Sequence, residues 1–219
     1  EEMKVAHKFL QHLYDIDILQ KLTYFENTPL LAFYLSKDFD YLFLEAGLGG
    51  EFDATNVVEN NLSLITTIGL DHQSFLGNSV REIAMTKMRS VDNKMLVGYQ
   101  LYDDVIKTAY EVKEQIKNER NRDIEIVQVK EFDKYSINDK FANYLKRNLH
   151  LVIACLNELK IDIDLKLFDD VPLFGRCQRI LPNVTIDVGH NPLAAQMIVK
   201  EFGNRKITLI YNSYGDKDY

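Results

Sequence analysis

The sequence predicts an α/β chain: a mainly parallel, helix-covered sheet followed by the start of a second, smaller α/β unit. Three observations carry this expectation. Short, compact apolar runs alternate with longer segments in helical period, which is the pattern of strands buried on both faces and separated by crossover helices. The apolar runs at 41–44 and 62–70 end in acidic or glycine-containing turns, Glu45 with GLGG and Asp71 with His72. The pattern then restarts after the acidic, turn-prone DDVPLFG at 169–175, which places a boundary near 171 and divides the chain into 1–171 and 172–219.

Each element follows from its own residues. Val5, Phe9, Leu10 and Leu13 share one helical face within 1–21, and a second helical segment covers 24–36. The period then changes to the compact runs YLFL at 41–44 and LSLITTIGL at 62–70, both read as buried strands. Ser79, with Glu82 three residues on, is a capping-box signature that starts a helix over 79–90. Its apolar face takes Val80, Ile83 and Ala84, and the next position on that face is Lys87. A cation in the last turn complements the helix dipole and a long stem can snorkel to water, so the ordinary explanation stays open beside a functional one. A strand follows at 95–97, a helix over 101–117, a strand at 124–129, and after a polar loop a helix over 144–159 that aligns Leu149, Val152, Ile153 and Leu156. Beyond the boundary, 184–186 and 207–211 read as strands around a helix at 192–202, with Asn191 as N-cap and Pro192 at the first helical position.

Bulk properties narrow the partners. The 219 residues are 46 % hydrophobic and 27 % charged, an ordinary globular balance. A net charge of −7 gives no electrostatic footprint for nucleic acid or anionic membrane, so neither is expected as a partner. No apolar run approaches the roughly 18 residues of a membrane span and no signal peptide opens the chain. Two cysteines, Cys155 and Cys177, form no framework of the secreted type, and the expectation is a cytoplasmic protein. The chain begins with Glu and stops just after an apparent strand, which predicts a longer parent.

In open α/β sheets ligands collect at the carboxyl ends of the strands. That rule selects Glu45, Asp71 with His72, and Asp187 with His190 three residues on. Such carboxylates and an imidazole can converge on a hard cation such as Mg²⁺; they can equally cap turns or fill a core. GLGG at 47–50 permits a tight turn, but no Walker A sequence occurs. Arg176 offers a planar fork to a phosphate or to a surface carboxylate, and His190 lies by a helix N-terminus, where anions are favoured.

Taken in order, LTYFENTPLLAFYL, LEAGLGGEFDATN, TTIGLDHQSFLGNSVREIAMTK, FGRCQ, DVGHNP and YGDKD resemble the folylpolyglutamate synthase/dihydrofolate synthase family of the Mur ligase superfamily, over nearly the whole chain. The resemblance implies a central ATPase domain of Mur-ligase type and the beginning of a Rossmann-like C-terminal domain. It implies an ATP-dependent ligase that joins L-glutamate to a folate or dihydropteroate carboxylate through an acyl phosphate, with ATP and Mg²⁺, as a monomer. Residue by residue, it makes Glu45 and His72 metal ligands and Lys87 a lysine commonly carbamylated beside the metal. Arg176 becomes a phosphate contact, Asp187 and His190 residues brought to the nucleotide and the incoming glutamate, and Asn148 a neighbour of the adenine.

Departures are also present. Phe174 replaces the usual proline, Glu51 stands where arginine is common, and Met88–Arg89 replace a small pair after the lysine. The family's TNGKGS phosphate loop is not among these residues, so the chain alone is expected to be inactive. Rival readings are a cell-wall Mur-type amino-acid ligase, a metal-dependent phosphohydrolase built on Glu45, Asp71 and His72, and a catalytically dead binding fragment.

Overall fold

The computed structural model describes residues 2–13, 15–130, 141–164, 166–169 and 174–212. The chain forms two compact units, Glu1–Glu59 and Asn60–Tyr219. This division does not coincide with the sequence expectation near 171, and residues 170–173 there lie outside the described residues. So do 213–219, which include the YGDKD sequence.

In the first unit, α1 (Glu2–Leu13) and α3 (Tyr24–Leu35) pack together, with Ala6 and Leu10 buried and the Phe9 and Tyr34 rings 4.4 Å apart. The single helix expected over 1–21 is broken: α2 (Ile16–Leu19) restarts at Asp15, whose carboxylate accepts from the Asp17 N–H. Helix α3 opens with a full capping box, the Glu26 N–H donating to Thr23 Oγ1 at 3.3 Å and the Thr23 N–H to Glu26 Oε2 at 2.8 Å. Residues 41–44, expected as a strand, are not one. Phe43 is 70 % exposed and no described strand pairs with the segment. Apolar composition suits a buried strand, but the ladder needs a neighbour to take its N–H and C=O groups.

The second unit carries a three-stranded parallel sheet in the order β1 (Leu62–Ile65), β2 (Lys94–Val97), β3 (Glu125–Gln128). The register sets Ile65 opposite Val97 and Val97 opposite Gln128. The two crossovers between successive parallel strands carry α5 (Val80–Met88) and α6 (Asp103–Arg120), which pack on each other. Helix α7 (Asn143–Glu158) covers one face of the sheet. There Leu96 of β2 joins Leu151 and Cys155 in a buried cluster, while the pleat turns Met95 and Val97 to the α5–α6 side. Two-sided burial explains why β2 is continuously apolar.

The run 62–70 is a strand only to Ile65. Beyond it Gln100 takes over the backbone: its Oε1 accepts from the Ile68 N–H at 2.9 Å and its Nε2 donates to the Thr66 carbonyl at 2.9 Å. These side-chain bonds replace ladder bonds and leave residues 66–72 as an irregular segment at the carboxyl edge of the sheet. After α8 (Lys166–Asp169), an antiparallel hairpin follows, β4 (Gln178–Leu181) with β5 (Val184–Ile186), then α9 (Pro192–Phe202). Strand β4 was not expected from the sequence, and 207–211, which was, pairs with no described strand and is exposed, Ile210 at 95 %.

Candidate functional site

A cavity of about 330 Å³ lies at the carboxyl end of the parallel sheet. Thr66 and Thr67 following β1, and Tyr99 following β2, form one side of it. Tyr144, Arg147 and Asn148 of α7 form another, with Asp187, Asn191 and Arg176 closing the rest. Three residues singled out in the sequence, Asn148, Arg176 and Asp187, therefore share one cavity. Its position is the one that open parallel sheets reserve for ligands, because strand carboxyl ends leave irregular backbone there.

Local chemistry fixes the walls. Thr67 Oγ1 donates to the Tyr99 carbonyl at 2.7 Å, which ties the ends of β1 and β2 together. The Arg147 guanidinium lies 3.6 Å from the centroid of the Tyr99 ring, a close cation–π stack. The Asp187 carboxylate is held by three donors: Tyr144 Oη at 2.9 Å and the Cys177 N–H at 2.7 Å on one oxygen, and the Gly189 N–H at 2.6 Å on the other. Burial, then the hydrogen bond to Asp187, pushes the Tyr144 phenol well above its usual range and keeps it a donor. Asp187 thus joins α7, the hairpin and the loop before α9. The His190 ring nitrogen Nδ1 lies 3.0 Å from the Val188 carbonyl, which can only accept, so Nδ1 carries the proton and Nε2 is left for other partners.

At the neighbouring end of β1, Asp71 is a second organiser. Its Oδ1 accepts from the His72 N–H at 2.9 Å, and its Oδ2 accepts from Asn191 Nδ2 at 2.7 Å. His72 adopts a left-handed backbone, φ 50°, at the start of the short helix α4 (Gln73–Leu76). Lys87, on α5, is half-buried, and among the described residues its ammonium makes no hydrogen bond. Burial pulls its pKa below the ordinary value, and the nearby charge of Asp71 opposes that only in part. The capping box expected for α5 is displaced by one residue. The Glu82 N–H donates to Ser79 Oγ as anticipated, but Glu82 Oε2 accepts from the Asn78 N–H instead.

Glu45 belongs to the first unit. There the GLGG–DATN segment is folded on itself by Asp53, whose Oδ2 accepts from the Gly47 and Leu48 N–H groups at 2.9 and 3.1 Å and whose Oδ1 accepts from Thr55 Oγ1 at 2.7 Å. Burial opposes ionisation of Asp53, yet the hydrogen bonds from Thr55, Leu48 and Gly47 outweigh it and hold the pKa below the usual value. A Cβ at Gly47 would lie 2.6 Å from the Phe25 ring, so a side chain there requires that exposed ring to shift.

Among the described residues no three His, Cys, Asp or Glu side chains form a metal-ligand cluster. Of the donors anticipated for a cation, the Glu45 carboxylate is the oxygen type that a hard divalent ion takes, the His72 imidazole is an unusual ligand for one, and an unmodified ammonium at Lys87 repels it. Sequence reasoning missed Tyr144, the Tyr99–Arg147 stack and the second partner of Asn191. Only Asn191 carried a signal, as a helix cap, and nothing local announces a bond made across the fold.

No protein-family profile matches the chain. It is similar to the dihydrofolate synthase/folylpolyglutamate synthase of Haemophilus influenzae, 29 % identical over 97 % of this chain and 55 % of that one. The structure of the folylpolyglutamate synthetase of Helicobacter pylori is 34 % identical and superposes with a TM-score of 0.64 over 99 % of this chain and 56 % of that one. The folylpolyglutamate synthase of Mycobacterium tuberculosis, complexed with ADP, has a TM-score of 0.72 at 20 % identity over 93 % of this chain and 53 % of that one. The chain spans about half the length of the curated relatives it matches over most of its own length.

Proposed function

Because this chain belongs to the folylpolyglutamate synthase/dihydrofolate synthase family, we propose that the protein containing it is an ATP-dependent ligase that joins L-glutamate to a folate or dihydropteroate carboxylate. The observation that carries the reading is the cavity at the strand carboxyl ends, which gathers Asn148, Arg176 and Asp187. Asn148 would meet the adenine, and the cationic fork of Arg176 would hold phosphate. ADP in the Mycobacterium tuberculosis relative supports a nucleotide as the occupant.

In this reading the folate carboxylate attacks the γ-phosphoryl group of ATP, releasing ADP and leaving an acyl phosphate. The glutamate amine then attacks that carbonyl, and phosphate leaves as the amide forms. His72 and a carbamylated Lys87 in the second unit, and Glu45 in the first, are the residues that would hold Mg²⁺, which when bound would supply charge neutralisation on the phosphates. The chain's own residues orient and exclude water. His190, with Nδ1 engaged by Val188, presents Nε2 to phosphate or to the incoming amino acid. Asp187 holds the loop that carries His190. The domain limits 1–171 and 172–219 belong to the same proposal, the second domain delivering Arg176, Asp187 and His190. The protein is taken to act as a cytoplasmic monomer.

The test is substrate dependence in the whole protein. ATP turnover is expected only when a folate-type acid and L-glutamate are both present, with stoichiometric ADP, phosphate and glutamylated product. Rapid phosphate release that ignores both substrates would replace the ligase with a phosphohydrolase.

A further inference from the structure

The N-terminus of α9 is docked on the segment that follows β1 by two contacts from residues far apart in the chain. Asn191 Nδ2 donates to Asp71 Oδ2 at 2.7 Å. Two residues to either side, Leu193 packs so closely on Gly69 that a Cβ there would lie 2.8 Å from Leu193 Cδ2. Asn191 serves two ends at once, because its Oδ1 accepts from the Ala194 N–H at 2.8 Å and so caps α9. Asp71 is equally committed, its other oxygen accepting from the His72 N–H. One carboxylate therefore joins the backbone of His72 to the helix whose preceding residue is His190.

The geometry points to Asp71 as a positioning residue: through its bond to Asn191 it seats the α9 N-terminus on the β1 edge and sets His190 relative to His72. The inference rests on the ligase reading for its effect on turnover, but the seating itself does not depend on which reaction the protein performs. Removing the bond while keeping the cap should slow the step that needs both edges aligned. Such misplacement acts on kcat more than on KM.

A reciprocal exchange tests this. Asn191→Asp keeps an N-cap oxygen for Ala194 but sets two carboxylates against each other. In the whole protein it should lower kcat by roughly tenfold, the equivalent of one lost hydrogen bond to a charged group. Asp71→Asn alone should also lower kcat, since its single amide oxygen can accept from the His72 N–H or from Asn191 Nδ2 but not from both. Combined with Asn191→Asp, it restores a bond with donor and acceptor exchanged, so the double variant should recover most of the lost kcat. Amide hydrogen exchange over 188–196 should follow the same order, faster in Asn191→Asp and returned in the double variant, whatever the reaction. A double variant no better than Asn191→Asp in both measurements overturns the inference. Unchanged exchange and unchanged kcat in Asn191→Asp do so as well. Restored exchange with no glutamate-dependent turnover in any form, wild type included, would instead overturn the ligase reading and leave the seating intact.

Discussion

Lys87 shows how one side chain can be out of place locally and in place chemically. Its ammonium sits half-buried on α5 without a hydrogen bond among the described residues, and burial lowers its pKa. The neutral amine is the form that reacts with CO₂, so the same burial that penalises the cation favours a carbamate, whose oxygens can ligate where an ammonium repels. Both sides of this balance are measurable. With the folded pKa below the unfolded 10.5, the penalty is full below the folded pKa, shrinks as pH rises from there toward 10.5, and vanishes above it. In CO₂-free buffer Lys87→Met should therefore raise the melting temperature at pH 7, with a gain that fades in melts recorded toward pH 10.5. In the whole protein the same substitution should abolish ligase turnover. A Lys87→Met variant that melts lower at pH 7 and keeps its turnover would return the residue to ordinary snorkelling.

At the scale of elements, the short polar segments organise the edges where chemistry is expected. The GLGG–DATN segment is a loop closed by one carboxylate, with Asp53 holding the turn at Gly47–Leu48 and starting the 3₁₀ helix Ala54–Val57. Asp53→Ala should cost about 1–2 kcal/mol, a cap together with charge-assisted hydrogen bonds in a partly exposed site, readable as a lower denaturant midpoint. The pH dependence has a definite sign. Because the folded pKa lies below the unfolded 3.8, the stabilisation is complete above 3.8 and is lost as pH falls through the lowered folded value. Wild type and Asp53→Ala should then converge in stability at strongly acid pH, and a gap that persists there would exclude this account. The same scale explains β1. Its apolar run continues to Leu70, but Gln100 captures the backbone at Thr66 and Ile68, so the strand gives way to the irregular segment that bears Asp71 and His72.

For the whole molecule, nucleotide and cation should act on stability together. Where ATP occupies the cavity of Asn148, Arg176 and Asp187, saturating ATP with Mg²⁺ should stabilise the whole protein by about 2.7 kcal/mol at a hundred times Kd, read as a higher melting temperature. EDTA should remove most of that shift along with turnover, and an ATP shift insensitive to EDTA would remove the cation from the site. Much of this architecture was legible in the sequence by itself. Helical period, caps and buried runs are local signals, and they located α3, α5, α6, α7, α9 and strands β1 to β3 because each depends on neighbours a few residues away. The family motifs marked candidate site residues in the same way, as short strings. Which apolar runs become strands was not local. Residues 41–44 and 207–211 have the composition of β2, yet only a run with a partner to take its N–H and C=O groups forms a ladder, and partners are supplied by the fold. Likewise Asp71 reads as an acid at a strand end, and only the tertiary structure gives it Asn191, 120 residues away, because a hydrogen bond depends on distance in space and leaves no trace in spacing along the chain.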